Sequence, residues 1–233
     1  MHIGLIGGIG PAATVVYYQR LTDLARKAGE HIDITIAHAS VQDLIKNNLA
    51  DDRASQAKIY ARHIDSLKAA GADCVAITSL GGHYCFDETV PMSSLPLISA
   101  VAPLDNFFTG KGLKRIGLLG TEVVMRTKLY GQLTDLEAVA PNEDLNDLGA
   151  TYRDVAVTGV CTDTQRDRFF AAGREMIDQQ GADAVVLAGT DLNLAFDNND
   201  PGYPVFDALD VHVGVLFDIA SGRSSLNAHA QGI

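Results

Sequence analysis

The chain has 233 residues, 47% of them hydrophobic and 20% charged, and 18 basic against 29 acidic side chains give a formal charge of −11. That is apolar material for one large core or two modest ones, and Lys and Arg are nowhere concentrated as a phosphate-tracking surface requires, so nucleic acid is not an expected partner. No apolar run approaches the roughly 20 residues that span a bilayer, and the N-terminus shows no basic leader, so no membrane association and a cytoplasmic location are expected.

Short, β-branched, continuously apolar runs separated by helical patterns read as strands buried on both faces of a parallel sheet. His2–Ile6 is the first such run, followed by Gly7-Gly8-Ile9-Gly10-Pro11-Ala12-Ala13-Thr14, a glycine turn opening a helix with Pro11 in its first turn. Asp33–Ala37 is the second. Arg53–Ala70 spaces Ala57, Tyr60, Ile64 and Leu67 by three and four residues, an amphipathic helix stopping at Gly71. Cys74–Ile77 and Leu97–Ser99 read as strands, and Thr109-Gly110-Lys111-Gly112 reads as the boundary between two halves. Arg115–Leu119 opens the second half. The helix Thr164–Gln180 carries Phe169, Ala172, Met176 and Ile177 inward, and the strands Ala184–Leu187 and Val205–Asp207 follow. A last helix, Leu209–Ala220, is expected to return to the first half. Ser221–Ile233 is polar and aperiodic, which predicts a tail without structure.

The chain is written twice. Ile3-Gly4-Leu5-Ile6-Gly7 recurs as Ile116-Gly117-Leu118-Leu119-Gly120, and Gly71-Ala72-Asp73 before a strand recurs as Gly181-Ala182-Asp183. The predicted fold is therefore α/β, two similar pseudo-symmetric domains with mostly parallel four-stranded sheets. The expected division is 1–110 plus 208–221, then 111–207, with 222–233 as tail. Ligands of such sheets bind beyond the carboxyl ends of the strands. This directs attention to Gly7–Thr14, Thr78–His83, Gly120–Met125 and Ala188–Leu194.

Read as G-x-G-x-x-A through Gly8, Gly10 and Ala13, the first loop matches a dinucleotide fingerprint. The second strand, however, ends Ile36-Ala37-His38-Ala39-Ser40 without the acidic residue that a ribose needs. A structural turn and an anion-binding turn for a small carboxylate remain open. Cys74, Cys85 and Cys161 have neither CxxC spacing nor an even count, so neither a disulfide framework nor a metal site is expected. Asp197-Asn198-Asn199-Asp200-Pro201-Gly202 lacks the spacing of a calcium loop and reads as a turn.

Taken in order, these motifs resemble one family. Gly7–Thr14 is similar to the GGMGPxAT opening of aspartate racemases, with Ile9 in place of the usual methionine. Gly117-Leu118-Leu119-Gly120-Thr121, followed by Met125 and Tyr130, resembles the family's GLLGT segment. Gly181-Ala182-Asp183 leading to Thr190-Asp191-Leu192 resembles its GAxxVILGCTEL element, and Pro204–His212 its late P-x-x-D…H stretch. The chain thus resembles the aspartate/glutamate racemase family from about Met1 to Ser221. The resemblance implies two facing α/β domains, a homodimer, a small amino or carboxylic acid as substrate and no cofactor. It further implies two cysteines, one from each half, acting on opposite faces of the substrate α-carbon.

Aligning Gly82-His83-Tyr84 with the family's C-N-T-A-H-Y puts Ser79 at the first cysteine. Aligning Thr190-Asp191-Leu192 with C-T-E-L puts Gly189 at the second. Ser79 lies eight residues after Gly71 and Gly189 eight after Gly181, so the repeat makes them symmetry mates. A serine hydroxyl is a far weaker acid than a thiol, and glycine has no side chain, so the two-thiol mechanism does not transfer.

Three outcomes stay open: proton transfer by other groups, a different reaction on a small carboxylate (lyase, decarboxylase or hydrolase), and ligand binding without turnover. The candidate catalytic residues are Ser79, His83 and Asp191, with Asp207 as a substitute for Asp191. The candidate substrate-binding residues are Gly8, Ile9, Gly10, Thr78, Leu80, Gly81, Thr121, Arg126, Gly189 and Thr190. Arg53 is a second possible carboxylate partner. Structural roles compete for His83, as a loop residue, and for Asp191, as a helix cap.

Overall fold

The computed structural model describes residues 1–231. In chain order the first elements are β1 (His2–Gly7), α1 (Pro11–Ala28), β2 (Asp33–His38), α2 (Val41–Leu49), α3 (Arg53–Ala69), β3 (Cys74–Ile77), α4 (Phe86–Thr89) and β4 (Leu97–Ile98). Then come α5 (Leu104–Gly110), β5 (Arg115–Leu119), α6 (Glu122–Thr127), β6 (Glu137–Val139), α7 (Leu145–Thr158) and α8 (Asp163–Asp178). The chain continues through β7 (Ala184–Leu187), α9 (Asn193–Phe196), β8 (Val205–Asp207), α10 (Ala208–Ala220) and β9 (Ala230–Gln231).

Two compact units result, one from residues 1–100 together with those from His212 onward, the other from Val101–Val211. The first has a sheet of order β2-β1-β3-β4-β9, the second one of order β6-β5-β7-β8. All pairings are parallel except β4 with β9. The internal repeat is visible in the register: Ile3 faces Cys74 in one sheet as Ile116 faces Ala184 in the other. The central strands are buried on both faces, as their unbroken apolar runs require.

The helices begin where side chains can cap them. Asp52 accepts from the Ser55 amide to start α3, and Thr162 with Gln165 forms a reciprocal capping box on α8. Both helices end just before Gly71 and Gly181, each in a left-handed conformation. Tyr17, Tyr60, Ile64 and Leu67 fill the first core; Phe169, Met176, Val185 and Leu187 belong to the second.

Three expectations differ from the structure. The Ser221–Ile233 segment is not structureless where described: Leu226–Ala228 forms a turn, and Ala230–Gln231 pairs with Leu97–Ile98 as a fifth strand. Residues 232–233 lie outside the described part. Glu137–Val139 adds an edge strand to the second sheet that no apolar run announced. Finally, residues 101–110 belong to the second unit. Asp105 Oδ2 accepts from the Thr134 amide and hydroxyl at 2.9 and 2.8 Å and from the Asp135 amide at 3.1 Å, while the Phe108 ring lies 5.6 Å from that of Phe206. These contacts fasten α5 to the unit that follows it in sequence.

Candidate functional site

In the first unit, β1 runs into Gly8, whose φ of +85° suits glycine and whose added Cβ would lie 2.5 Å from the Ala39 carbonyl oxygen. The Gly8 amide donates to Thr14 Oγ1 at 2.9 Å, Thr14 Oγ1 lies 3.1 Å from Thr78 Oγ1, and the Thr78 hydroxyl donates to the Ile6 carbonyl at 3.0 Å. Thr78 thus ties β3 to β1 and the start of α1. The Gly8 amide is engaged inside the turn, which narrows the expected role of this loop in binding an anion. A surface depression of about 310 Å³ beside it, with Pro11, Val15, Tyr18 and Ile36 in its wall, is largely apolar.

Ser79 stands two residues beyond β3 and is buried, as are Leu80 and Gly81 after it. Its Oγ accepts from the Gly82 amide at 3.2 Å. His83, one turn on, does not reach that hydroxyl. Its Nδ1 lies 2.7 Å from the Ser79 carbonyl and its Nε2 accepts from the Ala100 amide at 3.0 Å, while the ring stacks on Phe86 at 5.1 Å. Because an amide can only donate, Nε2 must be the bare nitrogen and Nδ1 the protonated one. The expected Ser79–His83 dyad is therefore not formed. Both ring nitrogens already have backbone partners, and burial pulls the imidazole pKa down to about 4. His83 therefore does not activate the Ser79 hydroxyl as a nucleophile.

In the second unit, Gly189 stands two residues beyond β7, the position equivalent to Ser79. A Cβ there would run into the Tyr152 ring of α7, with Cζ at 2.8 Å and the Gly120 Cα at 2.9 Å. The Tyr152 hydroxyl donates to Asp191 Oδ2 at 3.2 Å. Thr190, Asp191 and Tyr152 are only 1%, 2% and 4% exposed. Burial, followed by the Asp191 charge, raises the Tyr152 pKa well above its ordinary value, so the phenol keeps its proton. Asp191 sits within the turn Thr190–Leu192, just before the short helix Asn193–Phe196.

The other candidates are placed less centrally. Thr121 caps α6 by accepting from the Val124 amide at 3.3 Å. Arg126 is paired with Glu122 one turn away, and Arg53 with Asp51 at 2.9 Å and Glu88 at 3.8 Å, so both guanidinium groups already face carboxylates. Asp207 Oδ1 accepts from the Leu209 amide at the start of α10. Cys74 and Cys85 are buried, with thiols pushed up to about 12, and neither is a ready thiolate. Ile9 is buried behind the first turn. Arg174 donates to the carbonyls of Pro201 and Gly202, fixing the Asp197–Gly202 segment as a turn. Among the described residues no group of three or more His, Cys, Asp or Glu could hold a metal. No helix among them is long and apolar enough to cross a membrane.

Tyr152 was missed in the sequence. Leu148, Tyr152 and Val155 share the inward face of α7, and that spacing alone marks a core tyrosine. Only the fold brings its hydroxyl to Asp191, 39 residues away.

The ordered loops at the carboxyl ends of β1, β3, β5 and β7 frame the comparison with known proteins. The model of the Asp/Glu/Hydantoin racemase family matches residues 6–216. The chain belongs to this family. A curated relative, the broad specificity amino-acid racemase RacX of Bacillus subtilis (strain 168), is 21% identical over 212 residues, covering 88% of this chain and 92% of that protein. Among solved structures, an aspartate racemase homologue from Pyrococcus horikoshii OT3 superposes with a TM-score of 0.75 at 24% identity, over 94% of this chain and 99% of that one. The Picrophilus torridus aspartate racemase gives 0.74 at 20% identity, over 95% of each. Structural likeness at these identities shows the racemase fold.

Proposed function

We propose that this member of the racemase family transfers a proton at the α-carbon of a small amino or carboxylic acid without a cofactor. The observation that carries this reading is a buried carboxylate, Asp191, held by a protonated tyrosine at the end of β7, in a chain matched by the racemase model over residues 6–216. Asp191 takes the α-proton, and the C–H electron pair passes into the adjacent carboxyl group as an enediolate. Return of a solvent-exchanged proton from Asp191 to the same face exchanges the hydrogen without inversion, whereas a proton given by a water molecule to the opposite face, with Asp191 then releasing its own to solvent, gives the antipode.

Incubating the protein with D- and L-aspartate, glutamate and alanine in deuterium oxide tests this. Mass spectrometry reads α-deuterium, and chiral chromatography separates inversion from exchange. We expect α-deuterium in at least one of these acids, reduced ~100-fold or more by Asp191→Asn. No incorporation into any acid that nuclear magnetic resonance shows to bind would remove proton transfer from consideration.

A further inference from the structure

We propose that Tyr152 is a positioning residue that fills the side-chain space of position 189 and holds the Asp191 carboxylate in place. This deepens the proton-transfer reading above and rests on it for the role given to Asp191. The two halves of the inference come from one side chain. The ring lies where a Cβ on Gly189 would go, so a side chain at that position and the present ring are mutually exclusive. The hydroxyl at the end of the same ring donates to Asp191 Oδ2 at 3.2 Å, with the Asp191 amide 3.5 Å from the phenol oxygen. Gly189 and Asp191 belong to the turn that follows β7, and the Asp191 and Tyr152 side chains are both buried.

Here α7 delivers the functional group from the side, and Gly189 only makes room for it. The phenol is no base, since it retains its proton, and it makes no contact that the chemistry requires of a catalytic residue. Its work is to fix one carboxylate oxygen, which orients the other and favours the charged form. In a buried site this selects one rotamer of Asp191 and restrains its turn.

Two measurements on the full-length protein decide the proposal. The first is a stability cycle of Gly189→Ala, Tyr152→Ala and the double variant, unfolded in urea and followed by far-ultraviolet circular dichroism. Gly189→Ala is expected to lower the folding equilibrium constant about 10-fold or more in the parent and at least about 3-fold less than that in the Tyr152→Ala background, where the Gly120 Cα at 2.9 Å is the close neighbour that remains. Equal losses in both backgrounds overturn the packing claim, as does failure of the double variant to fold where Tyr152→Ala alone folds. The second is the carboxyl-carbon titration of Asp191, assigned by Asp191→Asn and compared between the parent and Tyr152→Phe. Loss of the donor is expected to raise the Asp191 midpoint by about one pH unit, and an unmoved midpoint overturns the positioning claim. Neither readout requires turnover. If the parent exchanges no α-proton, the proton-transfer reading falls while these two results still judge Tyr152. If it does exchange, Tyr152→Phe is expected to lower kcat with little change in KM and to move the acid limb of the pH profile upward; an unchanged profile argues against positioning.

Discussion

Acid should destabilise the first unit before most of its carboxylates titrate. His83 and His212 are both buried and neutral: burial pulls the first down to about 4, and burial followed by the neighbouring His83 pulls the second down to about 3. His83 Nε2 faces the Ala100 amide, so a proton added there would point at another N–H. His212 Nδ1 lies 2.8 Å from Tyr17 Oη, and the two imidazole rings are 6.4 Å apart, so charging one opposes charging the other. In the unfolded chain each imidazole titrates near 6.5, so between that value and the folded values the unfolded state binds more protons and stability falls with falling pH.

Taking the folded values as about 4 and 3, the unfolded-to-folded ratio rises about 30-fold per histidine between pH 8 and pH 5, or about 2 kcal/mol each and about 4 kcal/mol together. Urea unfolding at a series of pH values, read by far-ultraviolet circular dichroism because the chain has no tryptophan, measures this directly. His212→Gln should remove about half of the slope between pH 7 and 5. A flat stability profile over that interval in the parent, or an unchanged slope in the variant, would refute the assignment of two neutral buried imidazoles.

Three further outcomes follow from individual sites. Asp105→Ala removes the acceptor shared by Thr134 and Asp135 and should cost about 3 kcal/mol in the same urea assay. The carboxyl of Asp105 is held below its ordinary 3.8 by those donors against the opposing effect of burial, so its contribution is present above that value and disappears only at lower pH, outside the histidine window. Gly8→Ala forces a side chain into a left-handed turn against the Ala39 carbonyl and should cost about 2 kcal/mol or more, whereas Gly29→Ala, which meets nothing within 4 Å, should cost less. Iodoacetamide at pH 8 should label Cys161, which is partly exposed, well ahead of Cys74 and Cys85, and mass spectrometry of the peptides reads the order. Any α-proton exchange by the protein should survive that labelling.

Much of the architecture was legible because the sheets speak through side chains. Strands such as Cys74–Ile77 and Ala184–Leu187 are buried on both faces and carry nothing but apolar residues. The helices ending at Gly71 and Gly181 announce their stops. What escaped notice depends on backbone or distant partners. Ala230–Gln231 joins the first sheet through main-chain bonds, which leave no periodicity to find, and Glu137–Val139 is an edge strand with an exposed acidic residue. The same distinction runs through the site. Ser79 and Gly189 could be located from spacing, since each follows its strand at the same interval. The partner of His83 could not, because a four-residue separation from Ser79 suggests a side-chain pair where the fold makes a backbone one. Tyr152 was hidden by the converse effect, a polar tip on a residue whose ring belongs to the core.

The second unit is one uninterrupted stretch, Val101–Val211, whereas the first is assembled from both sides of it. In a growing polypeptide the middle of the chain therefore has all of its partners before the beginning does. Residues 1–100 can pair β1, β2 and β3, but His212 and the rest of α10 arrive only after the whole intervening unit has been made. The Tyr17–His212 contact, which spans 195 positions, is thus one of the last interactions to form. Until then the apolar surface that α10 will cover is exposed, and the part synthesised first is the part completed last.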